Sequence, residues 1–135
     1  MLGSDIYYLD VLSGATERLT RTLDSFDECP HHTPDGGRIC YLSTEGFSSE
    51  SESSFWWSWA KGEYWLMDSD GGNREQLTHF NTPGYPEYTG CRVLPAYISW
   101  NPAGDTILLS IAVECADGSA AGTLDDQIYL LDLTK

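Results

Sequence analysis

Residues Tyr64–Thr78 read YWLMDSDGGNREQLT, in which an apolar run ends in Asp68, a glycine turn follows, and Leu-Thr closes the unit. Residues Ile6–Thr20 read IYYLDVLSGATERLT and repeat this order. The aspartates at the ends of the two apolar runs have the same separation along the chain as the two Leu-Thr pairs. A third copy of the apolar run, IYLLD, occupies Ile128–Asp132. Self-similarity at such a constant offset predicts a repeat architecture.

A second repeated element is a proline-glycine turn between two short strands. Thr33–Gly37 reads TPDGG and Asn101–Asp105 reads NPAGD, and each is followed by an apolar strand, at Arg38–Leu42 and Thr106–Ser110. Proline presets φ at the first turn position, and glycine accepts a positive φ. Glycine or proline interrupts every candidate helical period. The sequence therefore predicts an all-β fold whose unit is four short antiparallel strands, named A to D in chain order.

These motifs carry a family resemblance. The order Trp/His-x-Pro-x-Gly-x-x-Ile, then Ile-Tyr-x-x-Asp, then Gly-x-x-x-x-Leu-Thr resembles the WD-type repeats of TolB-like β-propellers. The resemblance implies that each four-stranded unit is one propeller blade. It divides residues 1–135 into strands C and D of a first blade (1–25), a second blade (26–80) with an insertion at 44–62, and a loop with strands A to C of a third blade (81–135).

The predicted segment thus holds about two to three blades, whereas a closed propeller has about four to eight. An isolated set of blades leaves faces and sheet edges uncovered. We therefore expect either an excerpt of a longer propeller or a protomer that completes its ring by oligomerising.

The chain is strongly acidic, with 21 Asp and Glu against 7 Lys and Arg and a formal net charge of −14. Nucleic acids and anionic membranes are bound through clustered Lys and Arg, but the basic residues here are scattered. No run approaches the ~20 apolar residues of a membrane-spanning helix. Composition therefore disfavours a nucleic-acid partner and predicts no membrane insertion.

The four cysteines allow one predicted disulfide. Cys91 and Cys115 both lie in loop-like insertions, and a bridge between them is expected if the protein is exported. We accordingly expect a periplasmic or extracellular protein, although residues 1–5 lack the features of a signal peptide. Cys29 and Cys40 lie on adjacent strands of a predicted hairpin, where a bridge and two buried thiols are alternatives.

The first insertion, at 44–62, ends in a dense aromatic cluster. Phe55–Trp59 reads FWWSW and includes Trp56, Trp57 and Trp59. Exposed aromatic rings would form a stacking platform for sugar rings or for a partner's apolar side chains. The alternative is that the tryptophans pack between blades or cover a blade edge.

The second insertion joins strand D to the next strand A, from residue 79 to residue 95. Tyr85, Glu87 and Tyr88 could offer ring faces and a hydrogen-bonding carboxylate to a polyol, since long ordered loops of this kind tend to be functional. The alternative is a structural flap held by its prolines and by the Cys91–Cys115 bridge. The third insertion, 114–127, is predicted to be a flexible loop without chemistry.

Two motifs suggest a metal without requiring one. Asp68–Asn73 places oxygen ligands at alternate positions like a calcium loop, but the twelfth position is His79 instead of Glu, and turn chemistry explains the same residues. His31 and His32 are adjacent on a strand and point to opposite faces, so both rarely bind one ion. His32 also matches Trp100 in the repeat, which predicts a core or inter-blade role. We predict no metal and no cofactor.

No Gly-x-Ser-x-Gly elbow and no phosphate-binding glycine loop occurs in the sequence, and no catalytic set is recognisable. The leading hypothesis is a non-catalytic scaffold that presents propeller loops to a protein or carbohydrate partner. The alternatives are the propeller portion of an enzyme, either a polysaccharide lyase or a prolyl-oligopeptidase-type peptidase, and a self-assembling structural unit with open blade edges.

Overall fold

A computed structural model of the chain describes residues 3–47, 60–115 and 125–135. These residues form nine β-strands and no helix, so the predicted all-β class is confirmed. Within these ranges, no helix with the length and apolarity needed to cross a bilayer is found. The strands are β1 (Tyr7–Leu9), β2 (Thr16–Arg18), β3 (Asp27–His32), β4 (Arg38–Ser43), β5 (Glu63–Asp68), β6 (Glu75–Gln76), β7 (Arg92–Trp100), β8 (Thr106–Glu114) and β9 (Asp125–Asp132).

The strands pair into three antiparallel sheets that follow the order of the chain. Sheet 1 contains β1-β2, sheet 2 contains β3-β4-β5-β6, and sheet 3 contains β7-β8-β9. Every pairing within a sheet joins strands that are consecutive among the described elements. Each sheet is therefore a simple meander.

The repeat in the sequence is also a repeat of hydrogen bonds. In sheet 1, the Leu19 amide donates to the Ile6 carbonyl at 2.8 Å, and the Thr20 hydroxyl accepts from the Ile6 amide at 2.9 Å. At the equivalent position of sheet 2, the Leu77 amide donates to the Tyr64 carbonyl at 2.8 Å. The hydroxyl of the following threonine accepts from the Tyr64 amide at 3.0 Å. The Leu-Thr signature thus extends each strand pairing beyond the last ladder residue.

The two proline-glycine turns match in the same way. The Thr33 amide donates to the Arg38 carbonyl at 2.8 Å, and the Asn101 amide donates to the Thr106 carbonyl at 3.0 Å. Glycine occupies the left-handed position of both turns, with φ of 74° in the first and 75° in the second. Sheets 2 and 3 therefore begin with the same hairpin.

Sheet 2 lies between the other two sheets and is buried on both faces. Ile39, Tyr41 and Met67 project from one face and pack with Ile6 and Leu19 of sheet 1. The alternate residues project from the opposite face, as the two-residue period of a strand requires. They pack against sheet 3 in a second core cluster that contains Cys40, Tyr64, Leu66, Phe80, Val93, Ile98, Ile107, Leu109, Ile111 and Val113.

The strands of sheet 3 extend into the segments predicted as insertions. The predicted third insertion is wrong at both of its ends, because β8 continues to Glu114 and β9 begins at Asp125. Ladder pairing of Val113 with Asp125 extends the hairpin beyond its apolar centre. The second insertion is shorter than predicted, since β7 already begins at Arg92.

Candidate functional site

The candidate site lies in the loop of residues 79–91, which connects β6 to β7 and is anchored on a buried glutamate. Glu63 begins β5 and is fully buried. Its Oε2 accepts from the Thr78 hydroxyl at 2.8 Å and from the Phe80 amide at 3.0 Å. Its Oε1 accepts from the Asn81 amide at 2.7 Å. The carboxylate therefore fixes the backbone at the start of the loop.

Burial raises the pKa of Glu63, and the hydrogen bonds from the loop act in the opposite direction, led by that from the Asn81 amide. A buried carboxylate with several donors is satisfied as an acceptor. We therefore assign Glu63 to loop positioning.

Asn81 carries the connection onward to the next sheet. Its Nδ2 donates to the Gly62 carbonyl at 2.9 Å and to the Val93 carbonyl at 3.0 Å, while its Oδ1 accepts from the Val93 amide at 2.8 Å. The Asn81 side chain thus pairs with both backbone groups of Val93, as a neighbouring strand would, and links β7 to the residue before β5.

The end of the loop is covalently fixed. The structure joins Cys91 and Cys115 by a disulfide, with Cα atoms 4.5 Å apart. Beside it, the Arg92 guanidinium donates to the Glu114 carboxylate at 2.7 Å and to the Ala60 carbonyl at 3.0 Å. Both ends of the loop are therefore held by the sheets.

Between these anchors, two aromatic rings stack parallel to each other. The rings of His79 and Tyr85 stack with centroids 3.7 Å apart and planes inclined by 2°. Glu87 Oε1 accepts from the His79 amide at 2.9 Å and lies 3.2 Å from the His79 Nδ1. Tyr85 is 46% exposed, and its stacked face is covered by the imidazole. One face of the Tyr85 ring is therefore occupied by His79.

The structure brings three of the predicted site residues together. Tyr85, Glu87 and Tyr88 share this loop, in which the Tyr88 amide donates to the Tyr85 carbonyl at 3.1 Å. Tyr88 is also exposed. The other predicted site residues, Trp56, Trp57 and Trp59, lie outside the described residues.

The histidines are separated by the fold. Of the core or inter-blade role predicted for His32, the core role is wrong, because β3 is an edge strand of sheet 2 and both His31 and His32 are exposed on it; the inter-blade role stays a prediction. Its repeat counterpart Trp100 does pack against the core, and the indole Nε1 donates to the His31 carbonyl at 3.4 Å. Within residues 3–47, 60–115 and 125–135, no group of three or more metal-binding side chains is found.

The Asp68–Asn73 segment forms the β5–β6 turn. The Asp68 carbonyl accepts from the Gly71 amide at 2.9 Å, and its Oδ2 accepts from Asn73 Nδ2 at 2.6 Å. Asp70 Oδ1 accepts from the Gly72 amide at 2.9 Å. The side-chain oxygens that suggested a calcium loop therefore stabilise the turn.

The second cysteine pair forms no bridge. Cys40 is buried and Cys29 is exposed, and both are free thiols. Cys29 has a φ of 50° where the β3–β4 register shifts between Glu28 and His31, so the bulge takes it out of the ladder. The prediction of two buried thiols is therefore correct for Cys40 only, whose pKa burial raises to about 12.

Sequence reasoning missed the residues that organise the loop, namely Glu63, His79 and Asn81. A signal for the first was available, because Glu63 occupies the repeat position of Asp5, the acid that precedes the first apolar run. A scan against models of protein families and a search of the curated proteins found no match to this chain.

Proposed function

We propose that the chain is a non-catalytic binding scaffold built of TolB-like propeller blades, whose 79–91 loop binds a carbohydrate on the exposed face of Tyr85. The observation that carries this proposal is the parallel stacking of the Tyr85 ring on the His79 ring, in a residue that is 46% exposed.

The repeated geometry supports the propeller assignment. Sheet 2 has four antiparallel strands in chain order, as a blade does. Sheet 1 repeats the hydrogen bonds at the Leu-Thr end of the last two strands of sheet 2. Sheet 3 repeats the register of the second and third strands of sheet 2, since Arg38 pairs with Asp68 in sheet 2 and Thr106 pairs with Asp132 in sheet 3. Stacking of the sheets on both faces of sheet 2 is the packing that successive blades require.

The chemistry of the loop fits a sugar. Ligand sites combine an apolar or aromatic surface with a few placed polar groups. Tyr85 supplies the aromatic surface and loses little conformational entropy on binding, because His79 already covers its other face. The two hydrogen bonds between Glu87 and His79 both use Oε1, and the Glu87 side chain is 31% exposed, so we expect its second oxygen to accept from a sugar hydroxyl.

The net charge narrows the sugar class. A charge of −14 repels anionic polymers such as polyuronates, which favours neutral or basic oligosaccharides. The same repulsion weighs against the alternative of a lyase that acts on an acidic polysaccharide. The Cys91–Cys115 disulfide supports a periplasmic or extracellular location, where such bonds persist.

The proposal is tested by titrating the chain with cellohexaose, maltohexaose and chitohexaose in separate experiments, followed by saturation-transfer NMR and calorimetry. We expect one of these to bind, and we expect Tyr85→Ala to weaken that binding about tenfold, or ~1.4 kcal/mol. Tyr85→Phe should retain binding, because the ring face is kept.

The matched control is Tyr8→Ala, since Tyr8 is an exposed tyrosine on sheet 1, outside the loop. Its affinity should equal that of the unmodified chain. Absence of binding for all three oligosaccharides, or equal affinity in Tyr85→Ala, would refute a sugar site at this loop. Equal losses in both variants would point to a general effect of removing a surface ring.

A further inference from the structure

We propose that copies of this chain associate head to tail, with the outer face of sheet 3 of one copy packed onto the outer face of sheet 1 of the next. The outer face of sheet 3 is the face turned away from sheet 2, and the outer face of sheet 1 is likewise the one turned away from sheet 2. This association is independent of carbohydrate binding.

The outer face of sheet 3 is apolar and open. Leu108 pairs with Leu130, and Ser110 pairs with Ile128 and Tyr97, so their side chains lie on one face. Ile128 is 70% exposed and Leu130 is 73% exposed. Contiguous apolar residues at such exposure mark an interaction surface.

The repeat shows which kind of surface covers this face. Leu130 and Ile128 occupy the repeat positions of Leu66 and Tyr64, in strands with the same register. In sheet 2, Leu66 and Tyr64 are buried against sheet 3. The outer face of sheet 3 therefore continues the series of sheet-on-sheet interfaces, and its partner is the face that each sheet turns toward the preceding one.

A second copy offers such a face on its sheet 1. Tyr7 and Leu9 occupy the repeat positions of Trp65 and Met67, which sheet 2 turns toward sheet 1. Tyr7 is 60% exposed and Leu9 is 55% exposed. The two outer faces are therefore opposite halves of one repeated contact, which makes the interface heterologous.

The β1–β2 turn enlarges the face on sheet 1. Val11 and Leu12 are almost fully exposed at this turn. The corresponding residues of the β5–β6 turn are Ser69 and Asp70, which are polar as turn residues usually are. The apolar replacement is confined to the hairpin whose outer face is open, as expected if another copy covers it.

Electrostatic repulsion opposes this association, because each copy carries a charge of −14. Repulsion between surfaces is screened beyond ~8 Å at physiological ionic strength and beyond ~3 Å at 1 M salt. Apolar burial does not weaken in this way. Association should therefore strengthen as salt is added, the opposite of what an interface held by ion pairs would show.

The test is sedimentation equilibrium of the purified chain over a range of protein concentrations, at low and at high salt. We expect the weight-average mass to reach at least double that of one chain at high salt. Leu130→Asp and Leu9→Asp should each remain at the mass of one chain, since a heterologous contact needs both faces. Leu23→Asp is the matched control, because Leu23 is exposed outside both faces, and it should associate like the unmodified chain.

The decisive experiment mixes the two variants. Leu130→Asp keeps an intact sheet 1 face and Leu9→Asp keeps an intact sheet 3 face, so an equimolar mixture should form heterodimers and nothing larger. Circular dichroism checks that each variant is folded, and Ile128→Ser tests the sheet 3 face if Leu130→Asp does not fold. A mass of one chain for the unmodified protein under all conditions, or dimers of Leu9→Asp alone, would overturn the proposal.

Discussion

The β1–β2 and β5–β6 hairpins share the backbone hydrogen bonds at their Leu-Thr ends and differ in the acid that precedes them. Asp5 pairs with Arg18 and lies 3.4 Å from the Thr20 hydroxyl oxygen. Glu63 accepts at 2.8 Å from the equivalent hydroxyl of Thr78 and then reaches the amides of Phe80 and Asn81. The second hairpin has the longer acid and has the neutral Gln76 at the repeat position of Arg18, so its acid binds the loop backbone instead of an arginine.

This difference shows how a long loop can be added to a repeat. The Leu-Thr end of the hairpin is unchanged, because its threonine accepts from the Tyr64 amide as Thr20 accepts from the Ile6 amide. The loop takes its fixed start from a side chain that the repeat already places at that position. Removing the acid should therefore matter much more in the second hairpin than in the first.

The largest expected effect is that of Glu63→Ala. Removal of the carboxylate leaves the donors of Thr78, Phe80 and Asn81 buried without their acceptor, and we expect a loss of about 4 kcal/mol of unfolding free energy. Asp5→Ala removes a partly exposed ion pair and should cost about 1 kcal/mol. Urea denaturation of both variants measures the difference.

Glu63→Asp tests which contacts of the carboxylate depend on its longer side chain, since it gives the second hairpin the acid of the first. The shorter side chain should keep the contact to Thr78 and lose those to Phe80 and Asn81, at an intermediate cost of about 2 kcal/mol. Equal costs for Glu63→Ala and Asp5→Ala would show that the loop does not depend on this anchor.

The glycines of the two turns should also differ. Gly71 and Gly14 both have a positive φ, at 85° and 74°. A Cβ at Gly71 would lie 2.6 Å from the Leu19 carbonyl oxygen of sheet 1, whereas a Cβ at Gly14 would meet no atom within 4 Å. We expect Gly71→Ala to cost about 3 kcal/mol, from backbone strain and overpacking together.

Gly14→Ala has the strain alone and should cost about 1 kcal/mol. Thermal unfolding of the two variants side by side gives the comparison. If Gly14→Ala proved as costly as Gly71→Ala, the close approach of the β5–β6 turn to sheet 1 would not contribute to stability.

The parts of the fold that sequence predicted are the parts encoded locally. The two proline-glycine turns, the apolar runs and the Leu-Thr pairs each specify a backbone conformation over a short stretch, and each is present in the structure. The strand ends were less predictable. Glu114 and Asp125 are charged, and they enter the ladder because they continue a hairpin whose centre is apolar.

The candidate site was predictable in its residues but not in its arrangement. Tyr85 and Glu87 were predicted as side chains of a long loop that could contact a ligand, and that role stays a prediction. Their orientation depends on contacts with His79 and on the anchoring of Asn81 to Glu63, which is 18 positions away in the sequence. A pattern at short range carries no information on such pairs, so the stacked ring and its anchor were visible only in the structure.

The smallest expected difference between the two hairpins at neutral pH concerns the residue that follows the acid, Ile6 in the first and Tyr64 in the second. The Tyr64 hydroxyl donates to the Ser110 carbonyl at 2.6 Å and accepts from the Ala96 amide at 3.3 Å, so it ties sheet 2 to sheet 3. Tyr64→Phe should cost about 1.5 kcal/mol through these unpaired groups. Ile6→Val, which removes one buried methyl group, should cost about 1 kcal/mol.

At alkaline pH, Tyr64→Phe should lose less unfolding free energy than the unmodified chain as the pH rises. Burial raises the pKa of Tyr64, whereas an unfolded tyrosine ionises near pH ~10. Above that pH the unfolded chain binds fewer protons than the folded chain, so stability falls as pH rises. Burial also raises the pKa of Tyr41, to about 12, so part of this loss remains in Tyr64→Phe. Denaturation at several alkaline pH values on either side of the ordinary tyrosine pKa should give a shallower decline for Tyr64→Phe than for the unmodified chain, and parallel declines would show that Tyr64 ionises as freely in the folded protein as in the unfolded one.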